Sequence, residues 1–368
     1  MELKDLYGKE IIVFGTGRWG SAELTYLMEN PKLKIVGITN SRVPENESGT
    51  FRDTGLPIRN IRVWKTQYPN AKILIVADYK YHFEILDVCK KANFAEEDIL
   101  QMTYQMSNEV RNSIYEAYFA KHGILLPLEG EKEFSVKGVT LLQLPDEFKM
   151  FRASFYEIII DVILSHDDPE SEFIDEGPYD YTEGDLKSGD IVLDCGANMG
   201  VFSAYAASKG CICYAFEPIP TLQPLLLKYN QLSKNHIIPV NAAVSDQTGT
   251  AMFGVVDEWY SSSCLTQVPH NEMKDRKIEV PQITVDEFVF QNQLTHVDFI
   301  KADIEGAERL MLAGAQDTLA KFSPKLSLCT YHLPDDREVL TKLILNANPD
   351  YKITYYEKKL FASVPNKN

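Results

Sequence analysis

Two runs in the second half of this chain bring together residue types that could do chemistry. The first, Asp194-Cys-Gly196-Ala-Asn198-Met-Gly200, follows the apolar stretch Ile191-Val-Leu193. Glycines two and six positions after an acidic strand end allow a tight strand-to-helix turn and a close approach of backbone to ligand. The second run is Ile300-Lys301-Ala-Asp303-Ile-Glu305-Gly306-Ala-Glu308, and His332 follows a further apolar stretch, Leu326 to Tyr331. Between the two, Phe216-Glu217-Pro218 places a carboxylate 17 residues beyond Gly200. At a strand end it can accept hydrogen bonds from a ribose diol. A diphosphate on the glycine turn would be repelled by Asp194, whereas a ligand with a cationic ammonium or sulfonium group would be favoured. These features point to S-adenosylmethionine (SAM). Methyl transfer to a hydroxyl, a poor nucleophile, needs the acceptor held in line and its proton removed by a base or a metal.

Such residues need strands to position them. From Gly189 the pattern predicts strands at 190–194, 211–216, 237–244, 297–302, 326–331 and 352–356, with helices at 201–208, 221–233, 305–321 and 338–346 between them. Asp194, Glu217, Asp303 and His332 then fall at strand carboxyl ends, where ligands of open α/β sheets bind. The first hundred residues show a separate alternation: strands at 11–14, 34–39 and 73–77, and helices at 21–30 and 83–92. Between the two systems the spacing predicts a helix ending before Gly123, a strand pair within 130–145 and a second helix carrying Phe148, Phe151, Phe155, Ile158, Ile159 and Val162 on one stripe. The expected organisation is a Rossmann-like nucleotide/sugar-binding or docking domain over residues 1–104, a helical linker region over 105–175 and a catalytic domain over 176–368.

The second half resembles the FkbM-type SAM-dependent methyltransferases. The resemblance rests on Asp194 to Gly200, Phe216-Glu-Pro218, Asn241-Ala-Ala-Val-Ser-Asp246 and above all Ile300 to Glu308, with Pro324-Lys-Leu, Tyr331-His332 and Glu176-Gly-Pro-Tyr179 in support. It implies an α/β protein with a class I methyltransferase Rossmann-like sheet, seven-stranded and mainly parallel with one antiparallel strand near its end, preceded here by a smaller Rossmann-like α/β domain. It also implies O-methylation of a small-molecule acceptor such as a sugar, a nucleotide-sugar or another glycoconjugate precursor. Asp194, Gly196, Asn198, Gly200, Glu217, Asn241, Ala243 and Tyr179 are the expected cofactor-binding residues, Tyr179 by closing over the cofactor.

Asp303, His332 and Glu305 are the candidate catalytic residues. Asp303 serves as base or as a substrate-orienting carboxylate. Glu305 either joins it or merely opens the following helix, where the helix dipole favours a carboxylate. His332 acts as base, pairs with Asp303, or is a satisfied hydrogen-bonding residue. Together these three could ligate a divalent ion, but their spacing is no metal signature, so no metal is expected. Lys301 and Glu308 are read as structural. Trp259-Tyr260-Ser-Ser-Ser263 suits either a sugar-contacting loop or an ordinary surface loop.

In the first domain, Gly15-Thr-Gly17-Arg-Trp-Gly20 matches GxGxxG after a strand and marks a possible nucleotide ligand site. The next strand ends in Thr39-Asn40-Ser41-Arg42, where an NAD site would place Asp or Glu; Ser41 and Arg42 suit a 2′-phosphate instead. An NADP-linked oxidoreductase or a nucleotide-sugar-binding protein is therefore the alternative, beside a catalytically silent module. Composition sets outer limits. The 368 residues are 45% apolar and 11% aromatic, which excludes a disordered chain, and a net charge of −16 argues against nucleic acid as a partner. No apolar run reaches the ~20 residues of a membrane span. Six cysteines without a CxxC pair, and a start lacking a signal-like segment, suggest reduced thiols and a cytoplasmic protein. A homo-oligomer is compatible with all of this.

Overall fold

The computed structural model describes residues 3–16, 24, 27–46, 49–51, 54–77, 81–127, 132–169, 171, 173–174, 176–182, 185–256, 263–268 and 276–365. The chain divides into two compact units, Met1–Gly123 and Ile124–Asn368. The helix Tyr104–Lys121 falls within the first unit. Among the described residues no helix is long and apolar enough to cross a membrane. All six cysteines are buried and free of disulfides.

The first unit is built on a four-stranded parallel sheet of β1 (Glu10–Phe14), β2 (Lys34–Thr39), β3 (Lys72–Ile75) and β4 (Ile99–Gln101), in the order β2-β1-β3-β4. Ile12, Phe14, Ile73 and Ile75 pack with Trp64, Ile85 and Cys89 in its core. Near-continuous apolar strands are what a parallel sheet covered by helices requires. The helices Ile61–Gln67 and His82–Lys91 belong to this unit.

The second unit begins with the hairpin of β5 (Glu133–Val136) and β6 (Val139–Leu142). Its main body is a seven-stranded sheet of β7 (Ile191–Cys195), β8 (Ile212–Phe216), β9 (Ile237–Val240), β14 (Phe299–Ala302), β15 (Lys325–Cys329), β16 (Lys352–Tyr356) and β17 (Lys359–Ser363). The spatial order is β16-β17-β15-β14-β7-β8-β9, and β17 alone runs antiparallel to its neighbours. Strand order reverses between β7 and β14, which makes their carboxyl ends the switch point where open α/β sheets take ligands. Leu193, Phe216, Ile300, Leu326 and Leu328 anchor the core against Val285, Phe288, Met311 and Leu340.

Several expectations need correction. The run 237–244 is not one strand: it splits into β9 and β10 (Ala243–Val244). β10 joins a second sheet, order β10-β13-β11-β12, with β11 (Gly249–Val255), β12 (Cys264–Leu265) and β13 (Arg276–Ile283) between the stretches 237–244 and 297–302, where no strand was predicted. The helix expected over 305–321 is two, Glu308–Ala313 and Gln316–Phe322. They part at Gly314, which lies so close to the carbonyl of Ser245 that a Cβ would sit 2.3 Å from it. The helix carrying Phe148 to Val162 is a 3₁₀ turn, Asp146–Phe151, then an α-helix, Arg152–Ile159, then a wider π turn, Ile160–Leu164.

Candidate active site

The glycine turn leaves β7 at the switch point. Gly196 has φ +80°, and a Cβ there would lie 2.1 Å from the carbonyl oxygen of Asp303, just past β14. Only glycine allows the two strand ends to approach so closely. Asn198 and Gly200 also have positive φ, 48° and 81°, and Gly200 leads into the helix Val201–Ser208.

Asp194 is fully buried and does not present an open carboxylate. Ser203 Oγ donates to its Oδ2 at 2.6 Å, and Lys301 Nζ lies 3.1 Å from its Oδ1. Lys301 is the residue paired with Asp194 across β14 and β7, so the two side chains share one face of the sheet. Its ammonium also donates to the carbonyl of Gly196 at 2.7 Å, tying the ion pair to the turn. Burial opposes the lysine's charge, but Asp194 and Asp303 outweigh it and hold the group protonated. The cation expected at Asp194 is thus supplied by the protein itself.

Glu217, one residue past β8, is also buried. Its Oε2 accepts from the backbone N–H of Asn198 at 2.9 Å and its Oε1 from that of Ile219 at 2.8 Å. Burial pushes its carboxyl up to about 7, against the pull of these hydrogen bonds and of Lys301. Each oxygen keeps a further lone pair for a ligand hydroxyl. Asn241 is exposed directly after β9, and Ala243 is buried in β10.

On the other side of the switch point, Tyr179 OH donates to Asp303 Oδ2 at 2.7 Å, with Glu176 Oε2 3.1 Å from the same hydroxyl. Tyr331 OH donates to Glu176 Oε1. The buried Lys359 ammonium, on β17, lies 3.7 Å from the centre of the Tyr179 ring. Tyr179 is therefore locked beside Asp303. Burial raises the Asp303 carboxyl, but Lys301, Lys359 and His332 prevail and hold it well below the usual carboxylate range. An acid that strong is a poor base, so of its two expected roles the geometry favours orienting a substrate.

Glu305 does not open a helix. It sits at φ +57°, ahead of the helix that starts at Glu308, and its Oε1 lies 3.8 Å from His332 Nε2. Burial drives its carboxyl up to about 8, with His332 pulling the other way. The helix start belongs instead to Glu308, whose Oε1 accepts from the N–H of Ile304 at 2.9 Å and lies 3.2 Å from His332 Nδ1. His332 Nε2 is 3.8 Å from Asp303 Oδ1. Burial opposes protonation of the imidazole, but Glu308, Glu305 and Asp303 lift it to about 10. Asp303, Glu305 and His332 thus form one cluster, as expected from their places in the sequence.

Lys301 and Glu308, read as structural, support the glycine turn and His332, whereas sequence reasoning did not single out Lys359. The role of Lys301 would follow from the register of β7 and β14, which sequence alone does not fix. Trp259 to Ser262 lie outside the described residues, as do Gly17 and Gly20 of the first unit. Gly15 is described, at φ +144° with a Cβ position 3.0 Å from Val76. Asn40, where a dinucleotide site would carry an acid, donates through Nδ2 to Thr16 Oγ1 at 2.6 Å.

The strand order, the glycine turn at the switch point and the carboxylate after the second strand define a class I methyltransferase fold. The particular family is given by comparison: residues 194–353 match the methyltransferase FkbM domain. The chain is 24% identical over 170 residues to the hexuronic acid methyltransferase AglP of Haloferax volcanii, covering 46% of this chain and 67% of that protein. It is 25% identical to the 31-O-demethyl-FK506 methyltransferase FkbM of Streptomyces tacrolimicus, covering 36% of this chain and 62% of that protein. The chain thus spans under two thirds of the second relative's length. The crystal structure of a methyltransferase FkbM from Methylobacillus flagellatus KT aligns with TM-score 0.42 and 17% identity, over 98% of this chain and 92% of that one.

Proposed function

We propose that the second unit is a SAM-dependent O-methyltransferase whose acceptor is a hydroxyl of a sugar or related small molecule. The observation that carries this reading is the meeting of Glu217, the Gly196 turn and Asp303 at one switch point of the sheet. The residues fit the cofactor: Glu217 offers two oxygens with spare lone pairs to a ribose diol, and the Gly196 turn is free of side chain where a ligand must come close. Asn198 and Gly200 lie in the turn after β7 and Asn241 directly after β9, while Ala243 is in β10 of the second sheet. Asp194 contributes differently from expectation, by holding Lys301 and through it the turn.

SAM supplies an electrophilic methyl group on a sulfonium. Asp303, fixed by Tyr179, orients the acceptor oxygen beside Glu305 and His332. The sugar class is supported by the hexuronic acid methyltransferase among the relatives. Calorimetry with S-adenosylhomocysteine (SAH), followed by transfer of labelled methyl from SAM into a panel of hexuronic acids and nucleotide-sugars, tests the reading. SAH binding with label in an alkali-stable ether is the expected result. Absence of SAH binding by the intact chain would refute it.

A further inference from the structure

The Asp303, Glu305 and His332 side chains meet in a way that a proton-transfer cluster does not need. Their donor atoms all lie within 4.8 Å of one another. Nε2 of His332 stands 3.8 Å from both Asp303 Oδ1 and Glu305 Oε1, too far for hydrogen bonds. Donors sharing one ion at about 2.1 Å are themselves about 3–4 Å apart, which is the spacing seen. The His332 side chain is only 2% exposed, and its Nε2 has no hydrogen-bond partner among the described residues. A buried polar nitrogen left without a partner is costly unless something fills the gap in front of it.

The surroundings prepare each donor. Glu308 faces the other ring nitrogen at 3.2 Å and is itself held by the N–H of Ile304. A carboxylate behind a histidine fixes the tautomer and turns the remaining nitrogen toward a metal. Tyr179 OH occupies Asp303 Oδ2, which leaves Oδ1 on the side of His332. Glu305 enters the cluster from a backbone at φ +57°, a strained conformation for a non-glycine residue and one that occurs at functional sites.

We propose that Asp303 Oδ1, Glu305 and His332 Nε2 bind a divalent cation, oriented by Glu308. Two carboxylates and one imidazole suit Mg²⁺ or Mn²⁺ better than a soft ion. Its use rests on the methyltransferase reading; its existence does not. Bound at the β14 end, the ion takes the acceptor oxygen as a further ligand and lowers the affinity of that oxygen for its proton. The proton leaves to water, the oxygen–methyl bond forms as the methyl–sulfur bond breaks, and the products are a methyl ether and a neutral thioether. The spacing of these residues in the sequence is no metal signature, because His332 comes from the loop after a different strand; only their places at neighbouring strand ends allow the three to meet.

The test titrates the full chain with Mn²⁺, read by electron paramagnetic resonance, and separately with SAH by calorimetry. One Mn²⁺ per chain is expected, with nitrogen hyperfine coupling from the imidazole. Glu305→Gln and His332→Ala should each weaken Mn²⁺ at least tenfold, and Glu308→Gln by about tenfold. The nitrogen coupling in the unaltered protein keeps the test valid if a variant fails to fold. No binding at millimolar Mn²⁺, binding without nitrogen coupling, or folded variants of Glu305 and His332 that bind undiminished would each overturn the site, even with SAH bound. Mn²⁺ binding with these losses and no SAH binding would uphold the site and refute the methyltransferase reading instead.

Discussion

The chain contains two glycine turns that follow a first parallel strand, and they differ in what stands after the second strand. In the first unit the turn at Gly15 presses on Val76, and the position beyond β2 is Asn40, whose amide is spent on Thr16. In the second unit the turn at Gly196 presses on Asp303, and the position beyond β8 is Glu217, a buried carboxylate with acceptor capacity to spare. Glycine provides the bend in both. The charge and the free lone pairs that would bind a nucleoside are present in only one of these two described positions. A glycine motif therefore reports backbone geometry, and the group opposite it reports the ligand.

The sharpest way to break this contrast is to disturb the support of the second turn. Lys301→Met leaves Asp194 as a buried charge without its cation, and should cost about 3–5 kcal/mol of stability in a urea titration. Combining it with Asp194→Asn should recover much of the loss. If the single variant were as stable as the parent, the ion pair would not be what holds the turn. Next comes Gly196→Ala, where a methyl group must displace the Asp303 backbone; a loss of roughly 2–4 kcal/mol is expected, together with loss of SAH binding. Gly15→Ala meets a side-chain methyl first, at 3.0 Å, and should leave SAH binding unchanged. Equal effects of both alanines on SAH would erase the distinction between the turns.

Replacing Glu217 by Ala removes an acceptor of two backbone N–H groups as well as the ribose partner, so SAH affinity should fall about 100-fold, on the order of 2–3 kcal/mol. The reciprocal change, Asn40→Asp, installs an acid at the matching place of the first unit. It should break the Thr16 contact without improving SAH binding by calorimetry.

What was legible in the sequence follows the same division between local and non-local physics. The strand before Asp194, the helix Val201–Ser208 and the strand before Glu217 were readable to within about a residue, because apolar runs and glycines encode them locally. Asp303 and His332 were placed at strand ends for the same reason. β17 was missed: its opening residue is a lysine, which gives no apolar signal, yet Lys359 is buried against Tyr179 and Cys329. The ion pair of Lys301 with Asp194 needs the register of two strands more than a hundred residues apart. Glu305 was placed at the opening of a helix, whereas it sits in a left-handed turn ahead of Gly306, where a Cβ would lie 2.9 Å from Val268. Helical periodicity cannot report a single positive φ.

The smallest effect discriminates most finely between the two turns, since the first has no carboxylate at the matching position. Glu217 titrates near 7 because burial disfavours its charge. A ribose diol donates to the ionised form, so SAH should bind about tenfold more tightly at pH 8 than at pH 6, and Glu217→Gln should flatten that dependence. Stability of the ligand-free chain must move the other way. The folded-state pKa lies above the unfolded value, so the contribution of this group is full at low pH and is lost as pH rises through about 7. Relative to Glu217→Gln, the parent should therefore lose roughly 1 kcal/mol between pH 6 and 8 in urea unfolding. Opposite slopes for binding and for stability would assign both to one carboxylate. Parallel slopes would mean that another group, outside the glycine turn, governs the pH response.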